Sequence, residues 1–553
     1  MKKNLLAVFL LLTFVFQSAT FAQMATKPNS PARKAAENIT AAQLKDYLYY
    51  VASDEMEGRD TPSRGLDTTA KFIALNLSRW GFKPAGDDGT FFQKFALNVR
   101  ATDAAQTRLE IGGQAVGYGR DFFANPVAAN VAASPLVFAG NGWLLKAKNL
   151  DALKDVDVKG KTVVIYSGGE DYPAGVTPQD LFSGKYGQTN VDWIAPLEYA
   201  RAKGATGLMI IAAPGTEDDW QNERRQRERG GTSVEKFTEV RVSRNRGIPV
   251  MVISREAAEN LFQGAATAFS EIVRLSRENA PLPTFALNKT ASYTIESKIV
   301  KASTQNVVAV WEGGDPLLKN EMVAVGAHYD HVGIRPNAAG EDKIWNGADD
   351  DGSGTVAVLA MAEALSKSLK KPKRSILLVW HTGEEKGLWG SEYFNKFPTV
   401  DIKKVVAQLN IDMIGRSKTA GDTNPRNKDL STASEVYVIG SEMMSSKLGA
   451  VTKSINDSFL KLSYNYRYDN PKDENRFFFR SDHFNYAING IPIVFWFDGV
   501  HEDYHGANDE PDKIDYAKME RISRTIFLTM WEIADLKERP VVDKQLPPEL
   551  MKR

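Results

Sequence analysis

The stretch Ser375-Ile376-Leu377-Leu378-Val379-Trp380, followed at once by His381-Thr382-Gly383-Glu384-Glu385-Lys386-Gly387, decides how the C-terminal part of the chain reads. A short apolar run without polar alternation, closed by a turn, fits a strand covered on both faces. Runs of the same kind occupy 323–325, 405–411, 436–439 and 491–497, with helical patterns near 353–369, 388–396, 441–454 and 515–535. Regular alternation of such strands and helices predicts an α/β fold: a doubly wound, mostly parallel sheet with helices on both faces. In sheets of this kind the site lies beyond the carboxyl ends of the strands.

Residues suited to metal binding stand at those ends. His328 closes a strand in Gly326-Ala327-His328-Tyr329-Asp330. Asp330, two residues on, lies on the same side of an extended chain and can accept from the ring nitrogen that faces away from a metal. Gly347-Ala348-Asp349-Asp350-Asp351-Gly352-Ser353-Gly354 precedes a helix. Its adjacent carboxylates repel one another, a cost that a cation relieves; an acidic helix start reads equally well from the motif alone. In Glu384-Glu385, one carboxylate can hold metal while its neighbour takes a proton from bound water. Asp412 is a lone acid at an apolar strand end, costly there unless paired or metal-bound. Asp503-Tyr504-His505-Gly506 adds an imidazole with a phenol beside it. Together His328, Asp350, Glu385, Asp412 and His505 make an imidazole and carboxylate set without thiolate. That set suits zinc, with manganese or cobalt as alternatives. Two divalent ions sharing a carboxylate, beside a free glutamate, point to hydrolysis.

Bulk properties narrow the alternatives. The chain has 553 residues, 43% hydrophobic and 25% charged, which predicts two to four domains. Lys+Arg and Asp+Glu both number 69, so charge gives no argument for nucleic acid or an anionic membrane. There is no cysteine, which excludes disulfides, thiolate metal sites and cysteine nucleophiles. All six histidines lie at 328 or later.

At the N-terminus, Lys2 and Lys3 precede an apolar run from Leu5 to Phe16 and small residues near Ala22. This reads as a signal peptide (1–22) with a cut after Ala22, hence a secreted or periplasmic protein. The run is too short to span a bilayer comfortably. Beyond a Pro/Ala/Lys-rich lead-in, helices are expected from Thr40, as N-cap, and over 68–80. Short apolar strands at 136–139, 162–166, 207–211 and 248–253, with a helix over 194–203, predict a separate small α/β or β-rich domain. The charge run 222–229 reads as a solvated loop or helix face.

The chain resembles the secreted di-zinc exopeptidases that include bacterial leucyl aminopeptidase, aminopeptidase Y and glutamate carboxypeptidase II. The likeness rests on His328-Tyr329-Asp330, Asn346–Gly354, Gly383-Glu384-Glu385-Lys386-Gly387-Leu388, Asn410–Gly415 and Tyr504-His505. Ser53-Asp54-Glu55-Met56-Glu57-Gly58-Arg59 and Ser481-Asp482-His483 also look like family signatures. Residues 157–164 and 202–207 resemble a protease-associated domain. The resemblance implies an N-terminal part of the peptidase domain at 37–115, an inserted protease-associated domain at 116–290, the di-zinc domain at 291–540 and a tail at 541–553. It implies two zinc ions per chain, one on His328 and Asp412, the other on Glu385 and His505, with Asp350 bridging; alignment selects Asp350 over its neighbours. Glu384 would be the general base, Asp330 the residue orienting His328, and Tyr504 a donor to the oxyanion. His483 is not expected to be a ligand.

The expected function is a zinc-dependent exopeptidase acting on peptides, an aminopeptidase first, with carboxypeptidase or amidase as the alternative. An inactive binding homologue and a single-zinc cyclase of related fold are further readings. The segment 462–480, with Tyr464, Tyr466, Arg467, Tyr468 and Arg476, is expected either to shape the side-chain pocket or to form a packed loop.

Overall fold

The computed structural model describes residues 28–546 and 548, apart from 167–171, 178–179, 182–183, 238–246, 336–337 and 339. The expected signal peptide, 1–22, lies outside the described residues. The chain divides into two compact units, one formed by Met1–Lys94 and Thr304–Arg553, the other by Phe95–Ser303.

The first unit is built on strands β1 (Ser297–Trp311), β2 (Met322–His328), β3 (Ser375–His381), β4 (Val405–Ile411), β5 (Glu435–Ile439), β6 (Ser463–Asn465) and β7 (Ile493–Phe497). Their order across the sheet is β1-β3-β2-β4-β7-β5-β6. The middle four, β3, β2, β4 and β7, are parallel. On the outside, β1 runs antiparallel to β3, and β5 antiparallel to β7. The sheet is therefore mixed, with the expected parallel order at its centre. An apolar run encodes burial but not direction, so the outer strands could not be oriented from sequence.

Burial on both faces explains the continuous apolar runs. Along β3, Ile376, Leu378 and Trp380 enter one core, while Leu377 and Val379 enter another. Strand β2 divides the same way, Val323, Val325 and Ala327 against Met322 and Ala324. Side chains of a strand alternate between faces, so both sets must be apolar when helices cover both sides. The first core takes in residues of Ala41–Val51, Arg64–Arg79, Gly354–Ser366 and Tyr516–Asp535. The second takes in Phe394 of Trp389–Lys396 and Phe484 of His483–Ala487. Thr40 caps Ala41–Val51 through a reciprocal capping box with Gln43, which satisfies two helix-end donors at once.

The second unit holds an eight-stranded sheet. Ala129–Ala139, Thr162–Tyr166, Gly207–Ile211 and Val250–Ile253 are its parallel strands. Antiparallel strands complete it, including Thr284–Ile295, whose Ala291 pairs with Ile111. That ladder joins residues on both sides of the expected 116–290 limits, so the compact unit is wider than that range. The charge run falls largely in the helix Trp220–Glu228, none of whose residues is buried. Among the described residues, no helix is long and apolar enough to cross a membrane.

Candidate metal centre

Parallel strands put their carboxyl ends on one edge, and the predicted ligands meet there. His328 ends β2 and registers beside His381, the last residue of β3. Glu384 and Glu385 follow β3, Asp412 follows β4, and His505 follows β7 after a short loop. His328 Nε2 lies 3.2 Å from Asp350 Oδ1 and 3.7 Å from Asp412 Oδ2. On the other side, His505 Nε2 lies 3.1 Å from Asp350 Oδ2 and 3.0 Å from Glu385 Oε1. One carboxylate thus faces two imidazoles, one through each oxygen.

Hydrogen bonding separates the three consecutive aspartates. Asp349 accepts the Gly415 amide at 2.7 Å and faces His501 Nε2 at 3.3 Å. Asp351 accepts three amides, those of His328, Gly354 and Met413, at 3.1, 2.9 and 3.2 Å. Of the three, the Asp350 carboxylate is the one that faces both His328 and His505. Asp509 holds the loop by accepting the amides of Asp349 and Asp350 at 3.0 and 3.1 Å. Gly347, with φ of +58°, starts the turn, and a Cβ there would lie 2.4 Å from the His331 ring. Only glycine meets both the left-handed backbone and that close approach.

Asp330 meets His328 through both its carbonyl and its carboxylate. His328 Nδ1 contacts its backbone carbonyl at 3.1 Å, while the carboxylate Oδ1 is 3.6 Å away. The carboxylate also accepts from Thr61 Oγ1 at 3.0 Å and from the Glu384 amide at 3.1 Å. Because the strand turns immediately after His328, the carbonyl reaches the ring before the side chain does. Arg59, from one of the signature stretches, is buried and donates to the carbonyls of Tyr329, Val51, Asn346 and Gly347 at 2.7–2.9 Å. It ties the N-terminal segment to the His328 and Asp350 loops.

The electrostatics are those of crowded acids. Burial raises the Glu384 pKa; His328 opposes this, and Glu385, Asp412 and Asp482 reinforce it, leaving it well above the usual range. Burial alone would lower the His505 pKa, but the close Asp350 and Glu385 carboxylates carry it to about 10. Burial and the charges of Asp350 and Glu385 hold the Tyr504 phenol well above its ordinary value, so it remains a proton donor. Its ring stacks on His505, with centroids 4.0 Å apart.

The donor set fits metal ions. Asp350 Oδ2, Glu385 Oε1, His505 Nε2 and both ring nitrogens of His331 are buried without a hydrogen-bond partner. Buried polar atoms left in that state are expensive unless something binds them. Two clusters have ligand atoms within 4.8 Å of one another: His331, Asp350, Glu385 and His505, and His328, Asp351 and Asp412.

His331 was missed in the sequence. Its Nδ1 lies 3.1 Å from Glu385 Oε1 and 3.7 Å from Asp350 Oδ2. The available signal was an imidazole directly after Asp330. His381, at the end of β3, faces Asp482 at 3.4 Å and the Tyr486 hydroxyl at 3.0 Å behind the cluster. His483 stacks on Phe495 at 4.5 Å, and its burial lowers its pKa to about 3; it belongs to neither metal-compatible cluster. In the segment 462–480, Tyr464 and Tyr466 pack on the core, Tyr468 is buried against Tyr437, and Arg467 pairs with Asp429 at 2.8 Å. Most of that segment is a packed loop. A small cavity of about 40 Å³ adjoins His328, Asp350, Glu384 and Asp412, and of this segment only Phe477 and Arg480 line it.

Residues 306–530 match the model of peptidase family M28. A probable leucine aminopeptidase of Arthroderma otae is 31% identical over 229 residues, 40% of this chain and 56% of the relative. Leupeptin-inactivating enzyme 1 of Streptomyces exfoliatus is 37% identical over 115 residues, 21% of this chain and 23% of the relative. The chain thus spans about half, or less, of the length of these curated relatives. A zinc aminopeptidase from Bacillus subtilis aligns over 89% of this chain and 95% of its own, with 18% identity and a TM-score of 0.48.

Proposed function

We propose that this protein is a zinc-dependent aminopeptidase that removes N-terminal residues from peptides, exported by its N-terminal segment. The observation that carries the reading is Asp350, whose two oxygens face His328 and His505 at 3.2 and 3.1 Å in a pocket that Glu384 also lines. In this reading His328 and Asp412 would hold one zinc, Glu385 and His505 the other, and Asp350 would contribute to both sites. When bound, the pair supplies Lewis-acid activation of water and of the scissile carbonyl.

The chain's own groups do the rest. Glu384 is the base: burial and neighbouring acids raise its proton affinity, and a raised carboxylate takes a proton from water and returns it to the leaving amine. Asp330 holds the Glu384 amide and so fixes the base against the pocket. The Asp330 carbonyl accepts from His328 Nδ1–H, leaving the Nε2 lone pair on the side of Asp350, where a metal can take it. Tyr504 stays protonated and can donate to the developing oxyanion. The middle unit is assigned as a protease-associated domain.

The test is a panel of aminoacyl-p-nitroanilides and N-blocked peptides, run before and after chelation and again with zinc restored. Chelator-sensitive release from free-amino substrates alone is expected. Cleavage of the blocked peptides instead would reassign the chain to a carboxypeptidase or amidase. No turnover with metal bound would favour a binding homologue.

A further inference from the structure

Arg480 is the one lysine or arginine lining the cavity beside the metal-compatible cluster, among the described residues. The other walls are acids, His328, Tyr504 and apolar side chains such as Phe477, Phe495 and Val500. The guanidinium has two neighbours: its carbon lies 4.9 Å from the Phe477 ring centroid, and Nη2 is 3.5 Å from the Tyr504 hydroxyl. Stacking and a phenol orient it without neutralising it. Among the described residues no carboxylate forms an ion pair with it, whereas the nearby Arg467 and Arg416 are paired with Asp429 and Asp503. Arg480 is an exposed residue, and a guanidinium without an ion-pair partner at the wall of a small pocket is a fork for a carboxylate. The acids of the cluster do not supply one, since Asp350 and Glu385 face imidazoles.

We propose that Arg480 is a specificity-determining residue whose guanidinium binds a carboxylate of the substrate close to the scissile bond. This rests on the aminopeptidase reading above and names its substrate class. The carboxylate has two sources: the acidic side chain of an N-terminal residue, or the free C-terminus of a dipeptide.

Two substrate pairs separate them. Glutamyl- and glutaminyl-p-nitroanilide differ only in the side-chain charge, and Leu-Ala and Leu-Ala amide only in the C-terminal charge. The reading is the ratio of kcat/KM within each pair for wild type, Arg480→Gln and Arg480→Lys. One ratio favours the acid in wild type and falls by roughly 10–100-fold in Arg480→Gln, the scale of a charge-assisted hydrogen bond, with part retained in Arg480→Lys. Whichever pair responds identifies the source. If neither ratio favours the acid, or neither falls in Arg480→Gln, the proposal is wrong. If none of the four is cleaved, the aminopeptidase reading fails. Calorimetric titration of the zinc-loaded protein with glutamate, glutamine, Leu-Ala and Leu-Ala amide then reads the same ratios as affinities. Loss of the acid preference in Arg480→Gln supports carboxylate binding there, and equal affinities in wild type overturn it.

Discussion

The carboxylate of Asp330 accepts the backbone N–H of Glu384 at 3.1 Å while its other oxygen accepts from Thr61. One acid thus fixes the position of the neighbouring strand's glutamate pair. Asp330→Ala removes both hydrogen bonds, and the expected loss in kcat is about 10–100-fold, typical of residues that orient a metal site. Steady-state kinetics beside elemental analysis checks this; unchanged kcat would show that the Glu384 position does not depend on Asp330.

Glu384 lines the pocket but is absent from both groups of metal-compatible side chains. Glu384→Gln is therefore expected to lower kcat by about 10²–10⁴-fold, the usual range for a general base, while keeping metal content. Metal analysis of the purified variant decides the point, because loss of metal would make Glu384 a ligand and not the base.

Metal affinity carries a pH signature from His505. In the metal-free chain, burial lowers its pKa, but the close carboxylates of Asp350 and Glu385 raise it from 6.5 to about 10. The stability that this pairing contributes is complete below 6.5 and is lost as pH rises through about 10. Zinc competes for the same nitrogen, so affinity rises with pH across that window, by about tenfold per unit for each proton displaced. Calorimetry in buffers of different ionisation enthalpy should register proton release on zinc binding. Binding without proton release would remove His505 from the ligand set.

Truncating Arg59 removes its donors to four backbone carbonyls, of which that of Gly347 still accepts the Gly352 amide. Arg59→Met is expected to cost about 3 kcal/mol or more, because unsatisfied buried acceptors are expensive. Urea unfolding of the metal-free protein measures it. A change within about 0.5 kcal/mol, as for an ordinary surface position, would contradict the bracing role.

Much of this was legible before the structure. The strands could be read because both sheet faces are buried, which makes them continuous apolar runs, as in β3. The ligand candidates other than Asp350 could be read because each follows such a run. Three features could not. The choice of Asp350 from three adjacent acids came from the resemblance alone, because the amides of Gly415, His328 and Met413 that occupy its neighbours leave no trace in sequence. His331 reaches Glu385 only because the backbone turns after Asp330. Arg480 sits in a segment whose tyrosines turn inward to pack, so its own outward direction was invisible in composition.

The central claim is that Asp350 joins two metal ions. The direct measurement is anomalous diffraction at the zinc edge from zinc-loaded crystals of the full chain. Two peaks flanking Asp350 are predicted, one beside His328 and Asp412, the other beside Glu385 and His505. A single peak, or peaks away from Asp350, would contradict the account.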